Sequence, residues 1–504
     1  MQKIRHLVFW PPILLLIGAV VLSFMNFDAF TAIVTGANDW IIQNFGWLFS
    51  LTAVVVLGIC VWICFSPFGN VRIGGPDAKP IMTTYEWIVI TLCTTIAAGI
   101  LFWAAAEPIY HIISPPASLG IEPNSHQSAI FAMSTMYLHW TIVPYALYTL
   151  PSLMFAFAFY NMRRPFSLSS MLYPLLGDKS TGIWGDVVDA ICLFTLVAGM
   201  AASLGTGVMA LAGGLDHAFG LESNQFLWAI LTITIVVAFV ISASTGVMKG
   251  IRALSLINTR VYYVIVIFML VFGPTRYIFD LGTEALGDFI TNFFQKCLFT
   301  GAASGDQWPK WWTLFYWANW LAWAPITAMF LGRISYGRKT KEFVLVNLFL
   351  PALFCGLWMT IFSGTSIHLQ MSGFGLSEVL SQKGPEGVIY AVFSSLPLSG
   401  LIILFYLFIV FISYVTAADS NTTAIAALST TGISPENQEA SISMKVLWGI
   451  IIGSISWIMI SFAGIDGIKM LSNLGGFPAL FLIIMVVVSI IRVALNPGKY
   501  VLYG

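Results

Sequence analysis

Charge-free stretches of about twenty residues recur along this 504-residue chain, and they limit what it can fold into more than any other feature. A helix rises about 1.5 Å per residue, so about 20 apolar residues span the hydrocarbon core of a bilayer. The runs are Leu7–Phe27, Trp47–Ser66, Trp87–Ala106, Ile130–Tyr160, Ala190–Leu215, Gln225–Thr245, Val261–Thr275, Trp311–Gly332, Phe343–Ile367, Leu401–Ala418, Val446–Ile465 and Met470–Ile491. They predict twelve membrane spans. Leu281–Phe299 and Val388–Leu396 are amphipathic or short, lie beside Gly, Pro or charge, and are predicted to be interfacial. Leu7–Phe27 is too long for the apolar core of a signal peptide and has no small-residue cleavage site, so it reads as a retained first span.

Hydrophobic residues make up 58% of the chain and charged residues 9%. A soluble domain carries about 25% charged residues, which excludes a soluble enzyme, a disordered chain and a secreted disulfide scaffold. Net charge is zero, which leaves no electrostatic footprint for nucleic acid. With the N-terminus inside, 17 Lys and Arg fall in inner loops and 5 in outer loops. A miscounted span would blur that bias, so both termini are expected to be cytoplasmic, in a plasma-type inner membrane. There is no phosphate-cradling Gly-rich loop followed by Lys-Ser/Thr, which points to secondary rather than ATP-driven transport.

Six of the eighteen tryptophans fall between residues 308 and 323. Trp308, Trp311 and Trp312 read as an interfacial belt. Deeper, Tyr316, Trp320, Trp323, Thr327 and Phe330 form one helical stripe, and Pro325 is expected to break that helix. In span four Tyr137, Trp140, Pro144 and Tyr148 share a face at i, i+3, i+7 and i+11. His139 beside them reads first as a hydrogen-bonded structural residue. Two aromatic faces on proline-bent helices predict a box of ring faces for a cation, each contact worth about 0.5–2 kcal/mol. Neither face carries a carboxylate, which favours a methylated ammonium over Na⁺ or a primary amine. Span three is rich in small and hydroxyl residues from Thr91 to Gly99, which fits either close helix packing or unwinding around an ion. Asp419 interrupts span ten, and Thr416 and Ser413 lie deeper with hard oxygens suited to Na⁺.

The segment Trp312-Thr-Leu-Phe-Tyr-Trp-Ala-Asn-Trp-Leu-Ala-Trp-Ala-Pro325, with Met329-Phe-Leu-Gly-Arg-Ile-Ser-Tyr-Gly-Arg338, resembles the signature of the betaine/choline/carnitine transporters. Glu107-Pro108, Glu122-Pro123-Asn124, His139-Trp140, Ser203-Leu204-Gly205, Gly250-Ile251 to Asn258, and Thr416 to Ser420 extend the match in the family's order. The resemblance implies an all-α integral membrane protein with a leucine-transporter-like 5+5 inverted repeat. Residues 1–84 would be two peripheral spans, 85–281 the first repeat (spans 3–7), 282–309 an interfacial helix and loop, 310–495 the second repeat (spans 8–12), and 496–504 a short cytoplasmic tail. It implies a homotrimer in the lipid bilayer.

The same resemblance carries the family's aromatic box to Trp140, Tyr145, Tyr148 and Trp320. It places Trp323 on the path or partly in the site, Tyr110 at a substrate-touching position, and Asn319 beside the box. The family usually has Trp where this chain has Tyr145, and a Trp pair where it has Asn319-Trp320. Sodium-driven members are Gly-rich where this chain reads Thr94 to Gly99, and carry threonines where it has Leu196 and Met200. The sodium-independent branch has Arg where this chain keeps Asn258. One sodium site between spans three and ten is therefore expected, from Thr94, Ser413 and Thr416, with Na⁺ as coupling ion and no other cofactor. Span three lacks the Asp of choline-selective members, and the short tail lacks the charged extension of osmosensing ones. The expected function is secondary transport of a trimethylammonium compound such as betaine, a carnitine-like molecule or trimethylamine, by symport or exchange. The alternative is an amino-acid or polyamine carrier on the same core. A membrane enzyme using His139 and Glu107 is disfavoured, because no second His, Cys–His pair or metal cluster is expected beside them.

Overall fold

The computed structural model describes residues 3–95, 99–244, 248–431 and 441–500, without the side chains of 93, 94, 242–244, 248–259 and 420. Among the described residues the chain is helical, with no strand and two isolated bridges, Ile4 to Thr430 and Arg72 to Lys339. The first helices are α1 (His6–Met25) and α2 (Phe27–Phe65), hinged at Asn26, whose side chain accepts from Ala29 N at 3.0 Å. Span three is described as α3 (Thr84–Thr95) and α4 (Gly99–Ile113), on either side of residues outside the described set. Span four is divided into α5 (His126–Trp140), opened by a Ser125–Ser128 capping box, and α6 (Ile142–Ala156).

The short α7 (Tyr173–Leu176) precedes α8 (Ile183–Phe219), which stops at left-handed Gly220. Then come α9 (Gln225–Ser244), α10 (Met248–Phe272), α11 (Thr275–Thr291), α12 (Phe293–Cys297) and α13 (Trp308–Trp311). Next, α14 (Thr313–Arg333) is followed by α15 (Thr340–Val344), α16 (Leu350–Met371), α17 (Leu376–Lys383) and α18 (Pro385–Ser394). The chain closes with α19 (Ser399–Leu428), α20 (Ile442–Leu495) and α21 (Pro497–Tyr500).

By length and composition seven helical runs among the described residues could cross a membrane, or eight if 260–272 and α11, bent by 102°, form one span. The twelve apolar runs map onto these differently for physical reasons. At 54 residues α20 contains two predicted spans, and it is interrupted at Ala463 and Gly464, the latter at φ 53°, ψ −126°. A Cβ on Gly467 would fall 2.0 Å from the Met459 carbonyl oxygen, so the chain doubles back at that break. In a straight helix these residues would lie about 12 Å apart. The Trp-rich α14 is too polar to form an uninterrupted apolar rod, and the predicted spans three and six each contain residues outside the described set.

Contrary to expectation, α14 runs through Pro325 without interruption. A proline removes one N–H, and a buried, well-packed helix tolerates that single loss. The core lies where α14 packs against α6, α8 and α20, while α4 packs against α5 and α16. Close approach is enforced by small residues: a Cβ on Gly476 would sit 2.3 Å from the Ala318 carbonyl oxygen. The second half of the signature is structural. Arg338, nearly buried, donates to Thr84 Oγ1 at 2.9 Å and to the Met82 carbonyl at 2.7 Å, and lies over the Trp87 ring. It thereby staples the end of α14 to the start of α3.

Candidate functional site

The site grows from the break in span four. Thr141, between α5 and α6, has φ −116° and ψ −120°, and Pro144 offers no N–H to the Trp140 carbonyl. The break opens the His139 carbonyl, and Trp320 Nε1 donates to it at 3.1 Å. The indole of α14 is thus tied to the irregular backbone of span four. Tyr137, which precedes the break on α5, does not join the ring cluster; its hydroxyl meets Thr360 Oγ1 at 2.8 Å and the Gly282 carbonyl at 3.2 Å.

Four of the predicted substrate residues come together. Trp320 is at the centre, with ring centroids 5.7 Å from Trp140, 5.6 Å from Tyr145 and 5.0 Å from Tyr148. Tyr145 and Tyr148 are 6.3 Å apart at 81°. All four are buried. A Cβ on Gly99 would lie 3.3 Å from the Trp140 ring, so the cluster abuts the start of α4.

Behind the rings lies a carboxylate that sequence reasoning did not place in the site. Glu107 is fully buried on α4. Its Oε1 accepts from His139 Nδ1 at 2.6 Å and His111 Nε2 at 3.1 Å. Its Oε2 accepts from Trp140 Nε1 at 2.8 Å and from the Tyr316 hydroxyl. His139 Nε2 meets Thr313 Oγ1 at 3.1 Å. A buried carboxylate is stable only when its lone pairs are used, and here four donors use them. The signal available in the sequence was an acid followed by proline in an apolar context. The helix was expected to end at Ala106 but continues through Pro108 to Ile113, because the Ala104 carbonyl orphaned by Pro108 is taken by Ser363 Oγ at 2.7 Å. Glu107, His111 and His139 bring their ligand atoms within 4.8 Å, a grouping that could hold a metal ion; both histidines bond to Glu107, while His111 Nδ1 is buried without a partner.

The remaining predicted residues lie apart from the rings. Trp323 is half-buried, and its Nε1 lies 3.5 Å from where a Gly199 Cβ would be. Asn319 turns to α20, where its Oδ1 accepts from Ser472 Oγ at 3.1 Å. Tyr110 stacks at 5.1 Å on Trp312, and the Lys469 ammonium sits 4.0 Å from the Trp312 ring and 5.9 Å from that of Tyr110. Of the expected belt only Trp311 is exposed, at 61%; Trp308 and Trp312 are buried against His111. On α19, Thr416 Oγ1 donates to the Ile412 and Ser413 carbonyls, and Ser413 Oγ meets Tyr262 Oη at 3.3 Å. The Thr94 and Asn258 side chains lie outside the described residues.

A family model for the betaine/carnitine/choline transporters (BCCT) matches residues 7–498. The chain belongs to the BCCT family. The BCCT chain is therefore a membrane transporter and not an enzyme. It is 30% identical over 494 residues to the glycine betaine transporter OpuD of Bacillus subtilis, covering 97% of this chain and 94% of that one. It is 29% identical over 495 residues to the betaine/ectoine transporter LcoP of Corynebacterium glutamicum, covering 95% and 77%. It is 27% identical over 458 residues to the ectoine/hydroxyectoine transporter of Virgibacillus pantothenticus, covering 90% and 89%.

Proposed function

We propose that this BCCT chain is a secondary active transporter of trimethylammonium compounds, held in the plasma membrane by twelve spans with both termini cytoplasmic. Spans 3–7 and 8–12 form the inverted repeat, over 85–281 and 310–495. The 282–309 segment lies at the interface, residues 1–84 and 496–504 lie outside the repeat, and the chain works as a homotrimer. The doubling back at Ala463–Gly464 supports counting α20 as two spans. The interruption of span four at Thr141, beside the rings, supports a site at the bilayer midplane, where irregular backbone is tolerated when it lines a cavity.

The observation that carries the reading is the cluster of Trp140, Tyr145, Tyr148 and Trp320, held from behind by Glu107. Ring faces attract a cation without needing directional hydrogen bonds, which suits a quaternary head group. Glu107 adds a negative charge one indole away, and its bond to Trp140 Nε1 fixes that ring. Betaine and ectoine, for which the relatives are named, head the substrate panel. Trp323 and Asn319 line the path beyond the box, and Tyr110 meets substrate on approach. Na⁺ couples through Thr94, Ser413 and Thr416, and alternating access rocks the repeats around the box.

The test is uptake of labelled glycine betaine, carnitine and ectoine into proteoliposomes, with and without a Na⁺ gradient. Trp140→Ala and Trp320→Ala should each reduce uptake at least 100-fold in folded protein. Intact uptake in both variants would put the box in the wrong place, and equal competition by primary amines would favour an amino-acid or polyamine carrier.

A further inference from the structure

Like Tyr148 beside it, Tyr145 carries a hydroxyl into a buried wall of the ring cluster. Such a hydroxyl needs a partner, and the one it has is a thiol. Tyr145 Oη lies 2.9 Å from Cys355 Sγ, on α16, and both residues are 0% exposed. The contact crosses between helices 210 residues apart in sequence. It joins a ring of the box to a helix that contributes no ring to it.

We infer that Cys355 is a positioning residue for the ammonium site, acting through Tyr145, and that it sets affinity for the head group. The reason is angular. A ring attracts a cation over its face and repels it at its edge, so the same tyrosine helps or harms depending on its rotation. Trp320 meets Tyr145 at 60° and Tyr148 meets it at 81°, which constrains the body of the ring from two sides. The hydroxyl end is anchored at Cys355. Without that anchor the phenol would turn to seek another partner, because a buried unpaired hydroxyl is costly. Serine can replace the thiol as a hydrogen-bonding group at similar size, whereas valine fills the space without bonding. That pair of substitutions separates orientation from packing.

This inference rests on the proposed ammonium box, so the experiment carries controls for both. Full-length protein in lipid nanodiscs is titrated with tetramethylammonium, the head group alone, and Kd is read from intrinsic tryptophan fluorescence. Cys355→Val should raise Kd about 5- to 10-fold, and Cys355→Ser should stay within about twofold of the parent; the valine factor corresponds to about 1–1.4 kcal/mol. Tyr145→Phe should weaken binding to a similar extent, and Cys355→Val added to it should change little further, since the two share one interaction. If valine folds poorly, Tyr145→Phe and Cys355→Ser give the same comparison. Equal Kd for valine and serine variants, with Trp320→Ala still abolishing binding, would overturn the role of Cys355 and leave the box standing. Unchanged Kd in Trp140→Ala and Trp320→Ala would overturn the box, and this inference with it.

Discussion

Glu107 is the residue on which the site's geometry depends most. Its two oxygens take four donors from three helices, and two of those donors belong to aromatic residues of the ring cluster or its edge. Hydrogen bonds to a buried charge contribute about 1.5–3 kcal/mol each, and breaking such a network by removing the charge costs about 3–5 kcal/mol. Glu107→Gln should therefore lower thermal stability and weaken tetramethylammonium binding at least tenfold; wild-type affinity in a folded variant would contradict the role given to it. Ser363→Ala should cost about 1–2 kcal/mol, because it leaves the Ala104 carbonyl unpaired beside Pro108. A melt in detergent checks it. That Trp140, Tyr145, Tyr148 and Trp320 meet was anticipated from the family resemblance; periodicity alone offered Trp140, Tyr148 and Trp320 and did not single out Tyr145. Glu107 was not anticipated, because its role depends on His139, Trp140 and Tyr316, which are distant in sequence. The partner of Asn319 was not legible for the same reason: helical rotation turns its side chain to Ser472 on α20.

At the scale of elements, hydropathy located nearly every helix, and breaks were harder to read. Pro144 signalled disruption in span four, yet the irregular residue is Thr141, and the same span ends in a π-helical turn over Phe157–Asn161. Pro325 gave the same signal, and α14 runs straight through it. A proline removes a bond without deciding whether neighbours restore the geometry. Gly464 lies at a φ of 53° with ψ −126°, a region that side chains avoid, so Gly464→Ala should destabilise the protein by about 1–3 kcal/mol.

The short helix α18, outside the candidate spans, makes a pH prediction. Burial raises the Glu386 carboxyl to about 7, with the charge of Asp216 adding to it and Ser223 opposing. The fold therefore keeps a proton that the unfolded chain releases near about 4.3. Stability from this group is full below that value and is lost as pH rises through about 7. Glu386→Gln should be more stable than the parent at pH 8 by about 2–3 kcal/mol, with the difference shrinking below about pH 5. Parallel melting curves across that range would contradict it.

For the whole molecule, sorting of basic residues predicts which loops share a side. Single cysteines introduced at Lys179 and Lys341 should react with an impermeant maleimide from the cytoplasmic face, and those at Lys310 and Lys383 from the opposite face, in a background lacking the native cysteines. Labelling of Lys179 and Lys310 positions from one face would break the twelve-span topology. The fold as an all-α membrane body was fixed by the scarcity of charge. How its helices meet was not, because contacts such as Gly476 on Ala318 depend on which small residues face each other across the bundle.

The central claim is that the ring cluster selects for positive charge on a trimethyl group. Glycine betaine and 3,3-dimethylbutyrate differ by nitrogen against carbon at the centre of that group, with nearly the same shape. Isothermal titration of both into the purified protein isolates the charge. The account predicts that glycine betaine binds at least about tenfold more tightly, consistent with a few cation–π contacts, and that Trp320→Leu erases the difference. Equal affinity for the two compounds in the parent protein would contradict it.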